Sequence, residues 1–205
     1  MAVANGTAAL HLAVAALGLK KGCSGVTSPI TFLASANALV YNGIMPLFAD
    51  IDPQTANIST DALARVMRKD TKVIIPVHFA GRPAAMTEIA AIAERKKCCV
   101  IEDAAHAIGS CYPDGGRVGN CAYSDMTIFS FHPVKTITTG EGGAIMTNDK
   151  KLYDRLRCLR SHGVTRDPVL IKKSPGPWYY EMRELGFNYR LTDIQAALGL
   201  SQLKK

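Results

Sequence analysis

Few signals in this 205-residue chain point toward metal, membrane or nucleic acid. Its six cysteines, at 23, 98, 99, 111, 121 and 158, form no CxxC pair and no Cys/His spacing of the kind that gathers zinc. Several sit in apolar runs, which favours buried free thiols and a reducing, cytoplasmic setting. The apolar run from Ala8 to Leu19 is shorter than the roughly 20 residues that span a bilayer. No Lys or Arg precedes it, whereas Lys20 and Lys21 follow it, so neither secretion nor membrane insertion is expected. No GxGxxG follows the first expected strand, which weighs against a plain nucleotide-binding module. There is no internal repeat, low-complexity tract or clear linker. Residues 1–149 carry 12 basic and 12 acidic side chains, and residues 150–205 carry 12 and 5, so the net +7 lies in the last quarter. That quarter lacks a basic stripe with interleaved stacking aromatics, so its charges read as solvated faces and no nucleic-acid partner is expected. Attraction of an anionic substrate would be a minor addition.

What is present is ordinary globular composition, with 48% hydrophobic and 20% charged residues. The length suffices for one well-buried domain. Strand-like runs are expected at Val26–Ile30, Met45–Ile51, Lys72–Phe79, Cys98–Ile101, Met126–Phe131 and from Ala144. Helices are expected from Gly6, over Thr31–Asn42, from a Ser59 or Thr60 cap, over Thr87–Lys97 and Lys150–Arg160, and after a Thr192 cap. Strands alternating with helices at this spacing imply an α/β fold, a mostly parallel sheet flanked by helices on both faces. Val164–Leu185, with three prolines and little periodicity, is the longest irregular stretch. His78 at the end of a strand reads as a packed or capping residue.

Three stretches carry chemistry. In SFHPVKTITTGEGG (Ser130–Gly143), Lys135 follows a strand and precedes a run rich in hydroxyl and backbone donors. Such a lysine is either a solvated loop charge or an amine that condenses with a carbonyl in a close-fitting site. In CCVIEDAAHAIGS (Cys98–Ser110), a short apolar strand delivers Glu102 and Asp103 at its carboxyl end, where ligands of open α/β sheets bind. A carboxylate there either caps a loop or holds a pyridinium nitrogen protonated. In NGTAAL (Asn5–Leu10), a glycine turn opens an apolar helix, either an ordinary turn or an anion site made by exposed N–H groups and the helix dipole. Each signal alone is weak. Phosphate cradle, acid and lysine, each at a strand–helix junction, form a coherent set.

Together with SPITFLASANA, PLFADID, IPVHFAG, RSHG and GFNYRLTDIQAALGLSQL, these stretches resemble the DegT/StrS-type nucleotide-sugar aminotransferases, fold-type I enzymes dependent on pyridoxal 5'-phosphate (PLP). The resemblance runs from about Ala4 to the last residue. HPVKTITTGEGGAIMTND and the ending ALGLSQLKK most resemble the pseudaminic acid pathway members, which act on a UDP-linked 4-keto sugar. The resemblance implies that Lys135 holds PLP and Asp103 pairs with its ring nitrogen. It also implies that Gly6, Thr7, Ala8 and Ser130 hold the phosphate, Phe32 stacks on the ring, and His106 sits beside the ring oxygen. Asn188 would reach across a homodimer interface to the neighbour's phosphate. His132 receives no role. The implied substrates are a UDP-sugar and L-glutamate, with no metal. Dehydratases of the family carry histidine where Lys135 stands, which favours transamination over dehydration. Relatives are roughly twice this length, so the chain is expected to be a PLP-binding large domain, 1–205, lacking an N-terminal segment and the C-terminal small domain. By itself it is expected to bind the cofactor or a partner without turning over.

Overall fold

The computed structural model describes residues 1–204. Among these, seven strands form one sheet. In chain order the elements are β1 (Ala2–Val3), α1 (Gly6–Ala16), β2 (Ser24–Thr27), α2 (Ala34–Tyr41), β3 (Met45–Phe48), α3 (Thr60–Val66) and β4 (Thr71–Ile75). A single 3-10 turn (Phe79–Gly81) precedes α4 (Met86–Lys96), followed by β5 (Cys99–Asp103), β6 (Met126–Ser130), β7 (Gly143–Met146) and α5 (Lys150–Arg160). A small antiparallel ribbon, β8 (Val164–Thr165) with β9 (Glu181–Met182), interrupts the irregular stretch, and α6 (Asp193–Gln202) comes last. The sheet order is β1-β7-β6-β5-β4-β2-β3. Every neighbouring pair from β6 to β3 is parallel, and β7 alone runs antiparallel to both β6 and β1.

Side chains alternate across this sheet, as the two-residue period of a strand requires. Val73, Ile75, Ile101, Met126, Ile128 and Ile145 join a core with α1, α2 and α5, where Leu12, Leu39 and Leu156 are fully buried. Their neighbours Ile74, Val100 and Phe129 join a second core with α3 and α4, around Leu63 and Ile89. The helices begin where short polar side chains cap them: Asn5 for α1, Ser59 for α3, Asp149 for α5, and Thr192 with Gln195 in a reciprocal capping box for α6.

Some expected boundaries move. β2 ends at Thr27 rather than running to Ile30, and α2 starts at Ala34 rather than Thr31. The intervening SPIT turn is held by Ser28 bonded to the Ile30 backbone. β4 ends at Ile75, because Pro76 has no N–H to extend the ladder; Val77 still makes a parallel bridge to Asp103. Helix α5 spans the expected Lys150–Arg160 and is amphipathic, with Leu156 and Leu159 in the core.

The two acids that end β5 fall on opposite faces. Glu102 turns toward the α3/α4 layer, where it is completely buried and accepts hydrogen bonds from His78 Nε2 (2.8 Å), Tyr112 Oη (2.6 Å) and Thr127 Oγ1 (2.9 Å), as well as from Ser124. His78 Nδ1 accepts the Ala84 N–H, so the ring proton is on Nε2 and points at the carboxylate. Burial opposes the charge on Glu102, and the bonds from His78, Ser124 and Tyr112 outweigh it, holding the carboxyl below its ordinary range. His78 is therefore a packed structural residue.

Replacing Glu102 by Ala strands three buried donors and the half-buried Ser124, and should lower stability by about 3 kcal/mol, roughly 6–12 °C in melting temperature. The folded carboxyl titrates below its unfolded value of about 4.3, so this contribution is full above that pH and disappears as pH falls through the folded value. Melting curves at pH 7 and in acid should show the gap between the two proteins narrowing in acid; a gap independent of pH would contradict the assignment.

Candidate active site

A cavity of about 410 Å³ opens at the carboxyl ends of β5 and β6, against the N-terminus of α1. Gly6, Thr7, Phe32, Asp103, His106, Ser130 and Lys135 all line it. Seven residues that span 130 positions of sequence are thus brought to one wall-to-wall site.

Its anion end is built by close backbone approach. Asn5 caps α1 by accepting the Ala8 N–H at 2.7 Å. Ala8 is buried and its N–H is already taken, so it shapes the helix start, while the N–H groups of Gly6 and Thr7 have no protein acceptor among the described residues. A Cβ on Gly6 would meet Ser130 Cβ at 2.9 Å, and one on Gly143 would meet the Asn5 carbonyl at 2.7 Å. Only glycine at these places lets α1 settle onto β6 and β7, with Ser130 beside the open helix N-terminus.

Another part of the lining is acidic. Asp103, 5% exposed, accepts Ser35 Oγ–H at 2.7 Å on Oδ2 and the Ala105 N–H at 3.2 Å on Oδ1. The half-buried Lys135 also lines the cavity, and its loop is tied by Lys135 N–H to His132 O (2.9 Å), Thr138 Oγ1 to Phe131 O (3.1 Å) and Thr139 Oγ1 to Glu141 O (2.7 Å). Helix α6 clamps that loop from outside, because Gln195 Nε2 donates to Glu141 O at 2.8 Å. Partial burial, the nearby Lys135 charge and, in opposition, Asp103 leave the His106 pKa lowered, so its imidazole is neutral near neutral pH and free to exchange hydrogen bonds. Phe32 lines the cavity with 68% of its surface exposed, which leaves its ring open to stacking by a bound ligand.

Some residues escaped sequence reasoning. Ser35 lay hidden in an apolar helix pattern, and Gln195 in the helix after the Thr192 cap drew no reading. His132 and Glu141 line the cavity mouth with His132 Nε2 3.9 Å from Glu141 Oε1, and His132 Nδ1 accepts the Val134 N–H. Asn188 is exposed on the segment that bridges to Ser161 and does not line this cavity. Among the described residues there is no cluster of His, Cys, Asp and Glu able to hold a metal.

An anion cradle, a buried carboxylate, an amine and an exposed aromatic around one cavity suit a phosphorylated heterocyclic aldehyde. A family model described as the DegT/DnrJ/EryC1/StrS aminotransferase family matches residues 1–205. The chain belongs to that family. The UDP-4-amino-4,6-dideoxy-N-acetyl-beta-L-altrosamine transaminase of Campylobacter jejuni subsp. jejuni is 44% identical over 204 residues, covering 98% of this chain and 51% of the relative. The GDP-perosamine synthase of Escherichia coli O157:H7 is 41% identical over 203 residues, covering 99% and 52%. Helicobacter pylori PseC, an aminotransferase involved in the biosynthesis of pseudoaminic acid, superposes with a TM-score of 0.90 at 34% identity, over 100% of this chain and 53% of that one. The PLP form of Streptococcus pneumoniae Spr1654 superposes with a TM-score of 0.88 at 29% identity, over 100% and 54%. This DegT/StrS-family chain spans about half the length of the curated relatives it matches. Its architecture is that of the fold-type I PLP-dependent aminotransferases, and PLP is the family's cofactor.

Gly143→Val places a branched side chain against Asn5 and should push α1 off the sheet. The expected result is a loss of about 1–3 kcal/mol in stability together with weaker PLP binding. Thermal melting and a PLP titration followed by absorbance check both effects, and unchanged PLP affinity in a folded variant would dismiss the cradle geometry.

Proposed function

We propose that this chain is the PLP-binding large domain of a nucleotide-sugar aminotransferase, with Lys135 as the residue that holds the cofactor. The observation that carries the proposal is the meeting of Lys135, Asp103 and the Gly6–Thr7 cradle around one cavity. PLP, when bound, supplies an aldehyde carbon for amine exchange and a ring that absorbs negative charge. Gly6, Thr7 and Ser130 bind its phosphate, with Ala8 shaping the helix start behind them. Phe32 covers the ring face, His106 hydrogen-bonds its ring oxygen, and Asp103 keeps its nitrogen protonated. Lys135 Nζ would hold the cofactor and would serve as the base that moves the proton of the donor's α-carbon.

The donor is L-glutamate and the acceptor is a UDP-linked 4-keto-6-deoxy-N-acetylhexosamine, in surface polysaccharide or pseudaminic acid biosynthesis. The UDP-altrosamine transaminase and PseC likenesses support that acceptor; the GDP-perosamine synthase likeness supports the wider class of nucleoside-diphosphate keto sugars. Exposed Asn188, which does not line its own chain's cavity, fits a homodimer in which it serves the neighbour's phosphate. The exposed apolar side chains of Leu33, Val40 and Tyr41 along α2 fit burial in the same interface. Six unpaired cysteines suit a reducing cytoplasm, and none of the described helices is long and apolar enough to cross a membrane.

Borohydride reduction of the PLP-loaded protein should fix the cofactor covalently to the peptide that contains Lys135, with loss of the visible absorption band. Lys135→Ala should abolish the covalent label. Labelling of another lysine, with Lys135 untouched, refutes the assignment.

A further inference from the structure

Ser35 stands on the first turn of α2, completely buried, with Oγ 2.7 Å from Asp103 Oδ2. A serine hydroxyl has a single proton to give. Two acceptors lie within its reach, Asp103 Oδ2 at 2.7 Å and Phe32 O at 3.4 Å, and the shorter, charge-assisted bond takes the proton. Thr31 Oγ1 lies 2.8 Å from Ser35 Oγ, and since the serine proton is committed, Thr31 must be the donor there. The hydroxyls therefore form a directed chain, Thr31 to Ser35 to Asp103. The other carboxylate oxygen accepts the Ala105 N–H, so donors from two different segments hold Asp103 while it lines the cavity.

We propose that Ser35 is a positioning residue that aims Asp103 into the cavity and keeps it a carboxylate, so that a proton shared with a bound ring nitrogen rests on the ring. This inference presupposes the PLP assignment above. The shared proton has two resting places, the ring nitrogen beside an Asp103 carboxylate, or Asp103 Oδ beside a neutral ring. A hydrogen bond donated to the carboxylate favours the first arrangement, and its removal favours the second, with no other atom gained or lost. The same chain holds Thr31, and the Ser35 N–H donates to Phe32 O at 3.3 Å, so the one turn of backbone that carries the cavity-lining Phe32 also sets the acid.

PLP carrying a 15N label at the ring nitrogen, bound to the full chain, reports where the proton sits. In the wild-type protein its NMR shift should be that of a protonated ring. In Ser35→Ala the shift should move toward the unprotonated value and the PLP dissociation constant should rise about tenfold. Ser35→Thr should restore both. Ser35→Cys, close in size and a poor donor, gives the same reading as Ser35→Ala should the latter fail to fold. A purely structural serine would change the melting temperature and leave the ring-nitrogen shift alone. Normal PLP uptake with an unmoved shift in the Ala or Cys variant overturns the role of Ser35 alone. Failure of the wild-type chain to take up PLP overturns the cofactor assignment, and the role of Ser35 falls with it.

Discussion

The pairing of buried Glu102 with His78, Tyr112, Ser124 and Thr127 fixes the carboxyl end of β5, and the site depends on that end being fixed. An ionised carboxylate without exposure is tolerable only when its lone pairs are filled by donors. These donors come from the loop after β4, the segment after β5 and the start of β6, so one side chain ties three strand ends together. The next residue, Asp103, is thereby presented on the opposite face at a defined place. There it has fewer protein donors and a cavity in front of it. Two adjacent acids thus take separate tasks, one holding the scaffold and one left available for chemistry.

The lysine loop is steadied by a comparable division of labour. Threonine hydroxyls close it on itself, and the capping residue of α6 fastens it from outside. A loop that carries an amine for covalent chemistry must hold that amine near one geometry, because misplacement is costly in rate. At the far wall, two glycines permit the approach of α1 to β6 and β7, and the open N–H groups of the helix face the same cavity. The site is formed by three independently braced segments, not by one motif.

Much of this was legible in the chain itself. Alternating apolar runs separated by helices specified a mostly parallel α/β sheet, and the helix starts read at Gly6, at Ser59 or Thr60, and at Thr192 are retained, with Ser59 the cap of α3. The ends of β2 and β4 were misjudged because apolar character continues past them, whereas hydrogen-bonding partners do not. The irregular stretch after Gly163 hid the short β8–β9 ribbon, whose two-residue strands leave no periodicity to read.

By itself the sequence determined which chemical groups exist and at which kinds of junction they stand: a lysine after a strand, acids at a strand end, a glycine before a helix. Those are local properties, set by patterns a few residues long. Only the tertiary structure decided which groups share a cavity. It turned Asp103 inward to the site and Glu102 to the opposite core. It also drew Ser35 out of an unremarkable apolar helix onto the Asp103 carboxylate. The physical reason is that a strand's two-residue period and the packing of α2 on the sheet set side-chain direction, and contacts across 68 residues of chain leave no mark in local pattern.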